Sequence, residues 1–163
     1  MKALYIFLVW VPLLAAFAAG QKTGSSLEMA QIKSALDAYQ KSMETGDLDM
    51  LSNIIAHDAD IVSFGTDASE RWVGWNAMKS SAEQQFASFK NTKLDVHDQV
   101  IHIGSGDNVA WFSEIIDMST TAQGQPIQLK GMRATGVLEK RNGKWLFVQL
   151  HHSIGVEGQA VQY

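Results

Sequence analysis

Val137-Leu138-Glu139-Lys140-Arg141-Asn142-Gly143-Lys144-Trp145-Leu146-Phe147-Val148-Gln149-Leu150 is the stretch on which the fold turns. Asn-Gly supplies the positive φ angles that a two-residue hairpin turn needs, and β-prone residues flank it on both sides. The segment is therefore a hairpin. Opposite residues across such a turn sum to a constant, which pairs Arg141 with Lys144, Thr135 with Leu150 and Arg133 with His152. Moving upstream, β-rich segments over 94–103, 108–119 and 127–140 precede the last one at 145–156, separated by Gly104-Ser105-Gly106-Asp107 and by Gln123-Gly124-Gln125-Pro126. Four strands in sequence form a meander, and Gly131, Gly136 and Gly155 inside it predict a strongly bent sheet.

Further upstream the period changes from two to between three and four. Leu27, Ile32, Ala35, Leu36, Tyr39 and Met43 form the apolar stripe of an amphipathic helix that Thr45-Gly46 ends. Asp47 caps a short second helix carrying Leu48, Leu51, Ile54 and Ile55, and Ile61 to Phe64 reads as a strand. A third helix, capped at Asn76, carries Met78, Ala82, Phe86 and Phe89. Helices first and a meander afterwards give an α+β domain with the helices on one sheet face.

At the N-terminus, Met1-Lys2 and an apolar run over 3–19 end in small residues. That order is a secretory signal over 1–19, cleaved near Ala16-Phe17-Ala18, which leaves no stable membrane anchor and a periplasmic or secreted protein. A polar linker, 20–26, follows. There is no cysteine, so neither disulfides nor thiolate ligands are available. The formal charge is −4, and losing Lys2 with the signal makes it more negative, which disfavours nucleic acid.

Ala38-Tyr39, Thr45-Gly46-Asp47-Leu48-Asp49 and Ile55-Ala56-His57-Asp58-Ala59-Asp60-Ile61 resemble the opening of ketosteroid isomerase-like and SnoaL-like proteins of the nuclear transport factor 2 superfamily. Asn142-Gly143-Lys144-Trp145 through Ser153 is similar to the closing strand of the association domain of calcium/calmodulin-dependent kinases, of the same superfamily. The resemblance implies a cone-shaped fold over 27–157, with N-terminal helices packed in a curved antiparallel sheet, and a tail at 158–163. Homodimerisation through the sheet is usual in such proteins. Counted from the shared motifs, the isomerase oxyanion tyrosine falls on Tyr39, its aspartate base on Ser63 and its protonated aspartic acid on Thr135. Without a carboxylate to shuttle the proton, steroid isomerisation has no mechanism here.

The same count points Ser63 and Thr135 into the cone, and alternation then adds Arg133. In the last strand the kinase association domain has a pocket arginine where this chain has His152, and that resemblance implies Val148, Leu150 and His152 inward, with Trp145, Phe147, Gln149 and His151 outward. A symmetrical hairpin sets Asp117 opposite Arg133, so Asp117, Arg133 and His152 are expected as a polar row, unless a bulge shifts either register. Tyr39, Ser63, Ser113 and Thr135 add hydroxyls, with Trp111, Ile115, Leu150 and Phe86 as walls. This composition predicts a ligand pocket for a small anionic or polar aromatic molecule. The duller alternatives are a plain Asp117–Arg133 ion pair, a hydrogen-bonded lining role for His152, and packing roles for Tyr39, Trp72 and Trp75. A second function is an enzyme using His152 or Asp117 as general acid/base, with Tyr39 a further catalytic candidate; a third is a homo-oligomeric interaction module. Neither a cofactor nor a metal is expected, since adjacent His151 and His152 face opposite ways and no zinc-type spacing joins His57, His97 or His102.

Overall fold

The computed structural model describes the backbone of residues 14–156, 158 and 161, and side chains from residue 25 onward. Most of the expected signal and of the tail therefore lies outside the described residues. Among the described residues no helix is long and apolar enough to cross a membrane.

Helix α1 (Leu14–Thr45) starts before the expected stripe and includes the polar stretch 20–26 in its backbone. Its inner face buries Ile32, Ala35, Leu36 and Ser42. Gly46, at φ 69°, ends it, since its amide and that of Asp47 both reach back to the Ser42 carbonyl. Asp47 then accepts from the Met50 amide at 2.8 Å and caps α2 (Leu48–Ser52). Strands β1 (Val62–Phe64) and β2 (Arg71–Val73) form a small hairpin before α3 (Trp75–Ser88). The cap of α3 is Gly74 rather than the expected Asn76. Gly74 sits at φ 80°, and a side chain there would press on the Ala59 carbonyl at 2.9 Å.

Four long strands follow, β3 (Phe89–Ile103), β4 (Val109–Ala122), β5 (Gln125–Arg141) and β6 (Lys144–Ser153). The sheet order is β2-β1-β6-β5-β4-β3, antiparallel except where β1 joins β6. Asn142 and Gly143 take the expected positive φ, and Arg141 pairs with Lys144. Bulges interrupt every pairing of the meander, with Asn91, Asp98 and Gly131 at positive φ beside three of them. Each bulge adds local bend, and together they curl the sheet around α1.

The bulges also decide which face each residue meets. Between Val137 and Leu138 the β5–β6 register slips by one, so Arg133 pairs with Ser153 and Thr135 with His151. The expected Arg133–His152 and Thr135–Leu150 pairs do not form. The same slip turns Trp145 and Phe147, expected outside, into the core. Trp145 donates its indole N–H to Glu28 at 2.7 Å, and Phe147 packs between Tyr39 and Phe112.

Candidate functional site

The cone encloses a cavity of about 400 Å³ between α1, α3 and the sheet. Its walls are largely apolar, with Met43, Met78, Met118 and Met132 beside Phe86 and Leu150, and with Trp72 and Trp75. Volume and lining both suit a small ligand. Methionine walls are flexible and polarizable, and they adapt well to flat aromatic surfaces.

Tyr39 projects from α1 because it continues the stripe of Ile32, Leu36 and Met43. His152 projects from the last inward position of β6. Their rings stack at a centroid distance of 5.9 Å and 20° between planes, and Tyr39 Oη lies 3.4 Å from His152 Nε2. That separation is long for a hydrogen bond, so both polar atoms retain capacity for a third group. Each residue keeps some surface toward the cavity while protein surrounds the rest. Burial moves the His152 pKa down to about 4, helped by His151, while the Phe64 backbone and Glu70 pull weakly the other way. The Tyr39 phenol is pushed up, first by burial and then by the carboxylate of Glu114. At neutral pH the pair is thus an uncharged imidazole beside an uncharged phenol. Ser63, buried in β1, adds a hydroxyl to the cavity wall.

The structure brings Tyr39, Ser63, His152, Leu150 and Phe86 together around the cavity. It does not bring in Asp117, Arg133, Ser113, Thr135, Trp111 or Ile115. Between the β4–β5 register shift and the Asn142-Gly143 end, the inward residues of β4 and β5 are the even-numbered ones, with Ala110, Phe112, Ile116, Met132, Ala134 and Leu138 buried; past the shift β5 changes phase and Leu129 lines the cavity. The odd-numbered candidates lie on the outer face by alternation. Asp117 sits across from the β5 bulge at Lys130-Gly131, opposite neither Arg133 nor His152, and accepts from Lys130 Nζ and the Gly131 amide, both at 2.8 Å. Arg133 is exposed, beside Gly155 and opposite Ile115. The polar row is not formed. Thr135 being outside leaves Ala134 and Gly136 as its inward neighbours, so no acid takes the place of the isomerase's protonated aspartate.

Glu114 is the buried group that the sequence reading missed. It stands inward between Phe112 and Ile116, 3% exposed, and accepts from Gln99 at 2.7 Å and Gln40 at 3.2 Å. Burial raises its pKa against the pull of those two amides. A lone acid in phase with an apolar alternation was the available signal.

Among the described residues the charged side chains that line the cavity are Glu44, whose carboxylate accepts the Leu94 amide, Glu70, which is near enough to His152 to act on its charge, and Lys90. Glu70 lies over Gly65, where any side chain would collide with its carboxylate, and accepts from the Asp67 amide at 3.0 Å. Among the described residues no group of three potential His, Cys, Asp or Glu ligands converges. His57 stacks on Trp75 and His102 on Trp111, His97 bonds Asp98, and His151 meets the edge of Phe64.

A family model described as the SnoaL-like domain matches residues 32–157. Similar solved structures include a nuclear transport factor 2-like superfamily protein from Salmonella enterica, with TM-score 0.75 and 17% identity over 85% of this chain and 99% of that one. A protein from Novosphingobium aromaticivorans, provisionally named a scytalone dehydratase, has TM-score 0.71 and 14% identity over 83% of this chain and 89% of that one. One from Xanthomonas campestris, provisionally named a calcium/calmodulin-dependent protein kinase II association domain, has TM-score 0.66 and 21% identity over 78% and 87%. A search of curated proteins finds no match. At these identities the likeness to the solved structures shows the fold alone.

Proposed function

The chain belongs to the SnoaL-like domain family of the nuclear transport factor 2-like superfamily, and from that premise we propose that its cone binds a small, uncharged, largely aromatic molecule through one polar group seated at Tyr39 and His152. The observation that carries this reading is the uncharged phenol–imidazole pair facing an apolar, methionine-lined cavity. Such a pair offers one donor and one acceptor, which matches a hydroxyl or carbonyl better than an anion. With Arg133 outside, the lining cation among the described residues is Lys90, exposed and bonded to the Phe86 carbonyl, so a carboxylate seated at Tyr39 and His152 would be desolvated without a cation beside it. The anionic half of the sequence expectation therefore loses its support, and the polar aromatic half keeps it. Export to the periplasm or medium is part of the proposal and is supported by residues 1–19 alone.

Trp72 and Trp75 on the cavity wall give the test its signal, since a bound naphthalene ring quenches their emission. We expect 2-naphthol to bind and 2-naphthoate to bind at least tenfold more weakly, because its carboxylate is desolvated without a partner. Tyr39→Phe should weaken 2-naphthol by about three- to tenfold, the range of one net hydrogen bond. Equal binding of the naphthoate, or an unchanged Tyr39→Phe, would defeat the reading. A second reading takes His152 as a general base: it stands as a free imidazole beside Tyr39 on the cavity wall at neutral pH, although the burial that lowers its pKa also weakens it as a base. Dehydratase names among the fold's neighbours fit such a general base. Mass analysis of ligand recovered from the same binding mixtures separates the two: a binding protein returns it unchanged, and an enzyme does not.

A further inference from the structure

Next to the cone's cavity, a second hollow of about 510 Å³ runs between α3 and β2. It shares a wall with the cavity, made by Glu70, Trp72, Ser81, Gln85 and Phe89. Its chemistry differs sharply. On α3 the lining positions Ala77, Ser81 and Gln85, with Ser80, Gln84 and Ser88 alongside, recur every four residues and form one uncharged polar stripe. The helix's own ion pair, Lys79 with Glu83, is not part of that lining. Serine forms helix less well than alanine or glutamate, and three of the stripe's positions carry it. Solvation of a helix does not require this choice, because charged residues serve that purpose better.

On the facing side Trp72 offers an amphipathic ring, and the Glu70 carboxylate lines both hollows. Hydroxyls and amides donate and accept in equal measure, a carboxylate accepts from adjacent hydroxyls, and an indole face covers the C–H side of a sugar ring. The same carboxylate repels phosphates and acids.

We propose that the groove between α3 and β2 is a subsite for an uncharged, hydroxyl-rich group, and that the complete ligand is a glycosylated aromatic: its rings fill the cone and its sugar lies on Trp72 against the Ser80–Gln84 stripe. This rests on the cavity reading above and extends it outward through the shared wall.

The test compares 2,6-dihydroxynaphthalene with its mono-β-D-glucoside, so that one free hydroxyl remains for Tyr39 and His152 in both probes. By titration calorimetry the glucoside should bind at least tenfold more tightly. The Ser80→Ala, Gln84→Ala double variant alters only exposed positions of the helix, and should bring the glucoside's affinity down to that of the aglycone. A glucoside that binds no better than the aglycone, or one whose advantage survives the double variant, overturns the subsite while leaving the cavity reading standing. If neither probe binds, the cavity reading falls and the subsite with it. Thermal melting of the variant confirms that its fold is kept.

Discussion

His152 is enclosed by protein at the end of β6, and its displacement to about 4 makes it a stability term as well as a ligand contact. In the unfolded chain a histidine titrates near 6.5. Between about pH 6.5 and 4 the unfolded chain therefore holds a proton that the folded chain does not, so stability falls as the pH drops through that window and levels off below it. At pH 5 this amounts to about 2 kcal/mol. In denaturant unfolding, the loss of stability from pH 7 to pH 5 should be smaller by about that amount in His152→Gln than in the wild type; identical losses would show that the ring is solvated. Glu114 works with the opposite sign, since a raised carboxylate pKa disfavours the folded state as the pH climbs past its normal range. Of these groups, Tyr39 and His152 were legible from helical spacing and strand position. Glu114 was not, because its burial depends on Gln40 of α1 and Gln99 of β3, which approach it only in the folded chain.

A single inserted residue in β6 separates what could be read at the level of elements from what could not. Asn142-Gly143 announced the hairpin, and the turn, the strand order of the meander and the helical stripe of α1 were all explicit in residue types. Strict alternation from His152, however, carried the wrong phase past the bulge and sent Trp145 and Phe147 outside. On β4 and β5 the phase was only partly written in the residues: Ala110, Phe112, Ile116, Met132, Ala134 and Leu138 are apolar at even numbers, with Ser113, Asp117, Arg133 and Thr135 at odd ones, but Trp111, Ile115, Val137 and Glu114 break the alternation. Counting from a related motif overrode that pattern by one residue. The bulged strand now joins α1 to the sheet through Glu28, which accepts from Trp145 Nε1 at 2.7 Å and Lys140 Nζ at 2.6 Å. Those bonds, Lys140 first, hold the Glu28 carboxyl below its normal range. Trp145→Phe keeps the ring packing and removes one charge-assisted bond in a buried setting, so urea unfolding should show a loss of about 1–3 kcal/mol. An unchanged midpoint would mean that water replaces the indole without penalty.

For the molecule as a whole, the convex face of the sheet is the surface that the cone leaves uncovered. The register lines Trp111, Val137, Gln149, Val62 and Val73 in one row across five strands, and Val100, Ser113, Thr135, His151 and Phe64 in the next. Val100 and Trp111 are each 47% exposed, Val73 42% and Phe64 40%. Large apolar side chains gathered in adjacent rows form a patch, whereas scattered ones would need no explanation. A two-fold axis through such a face lets the same rows meet themselves, which closes the assembly at two copies. The sequence reading placed Trp145, Phe147 and Gln149 on this outer face; in the structure Trp145 and Phe147 are buried, Gln149 stays in the row, and Trp111, Val100 and Phe64 are large exposed side chains beside it. Sedimentation velocity should therefore show a dimer that dissociates on dilution. Trp111→Lys, which puts a charge from each copy near the axis, should yield a monomer with the same melting profile for the cone's core. A wild-type chain that sediments as a monomer at every usable concentration would assign those exposed rings to some other partner, and a Trp111→Lys chain that still dimerises would move the contact off this face.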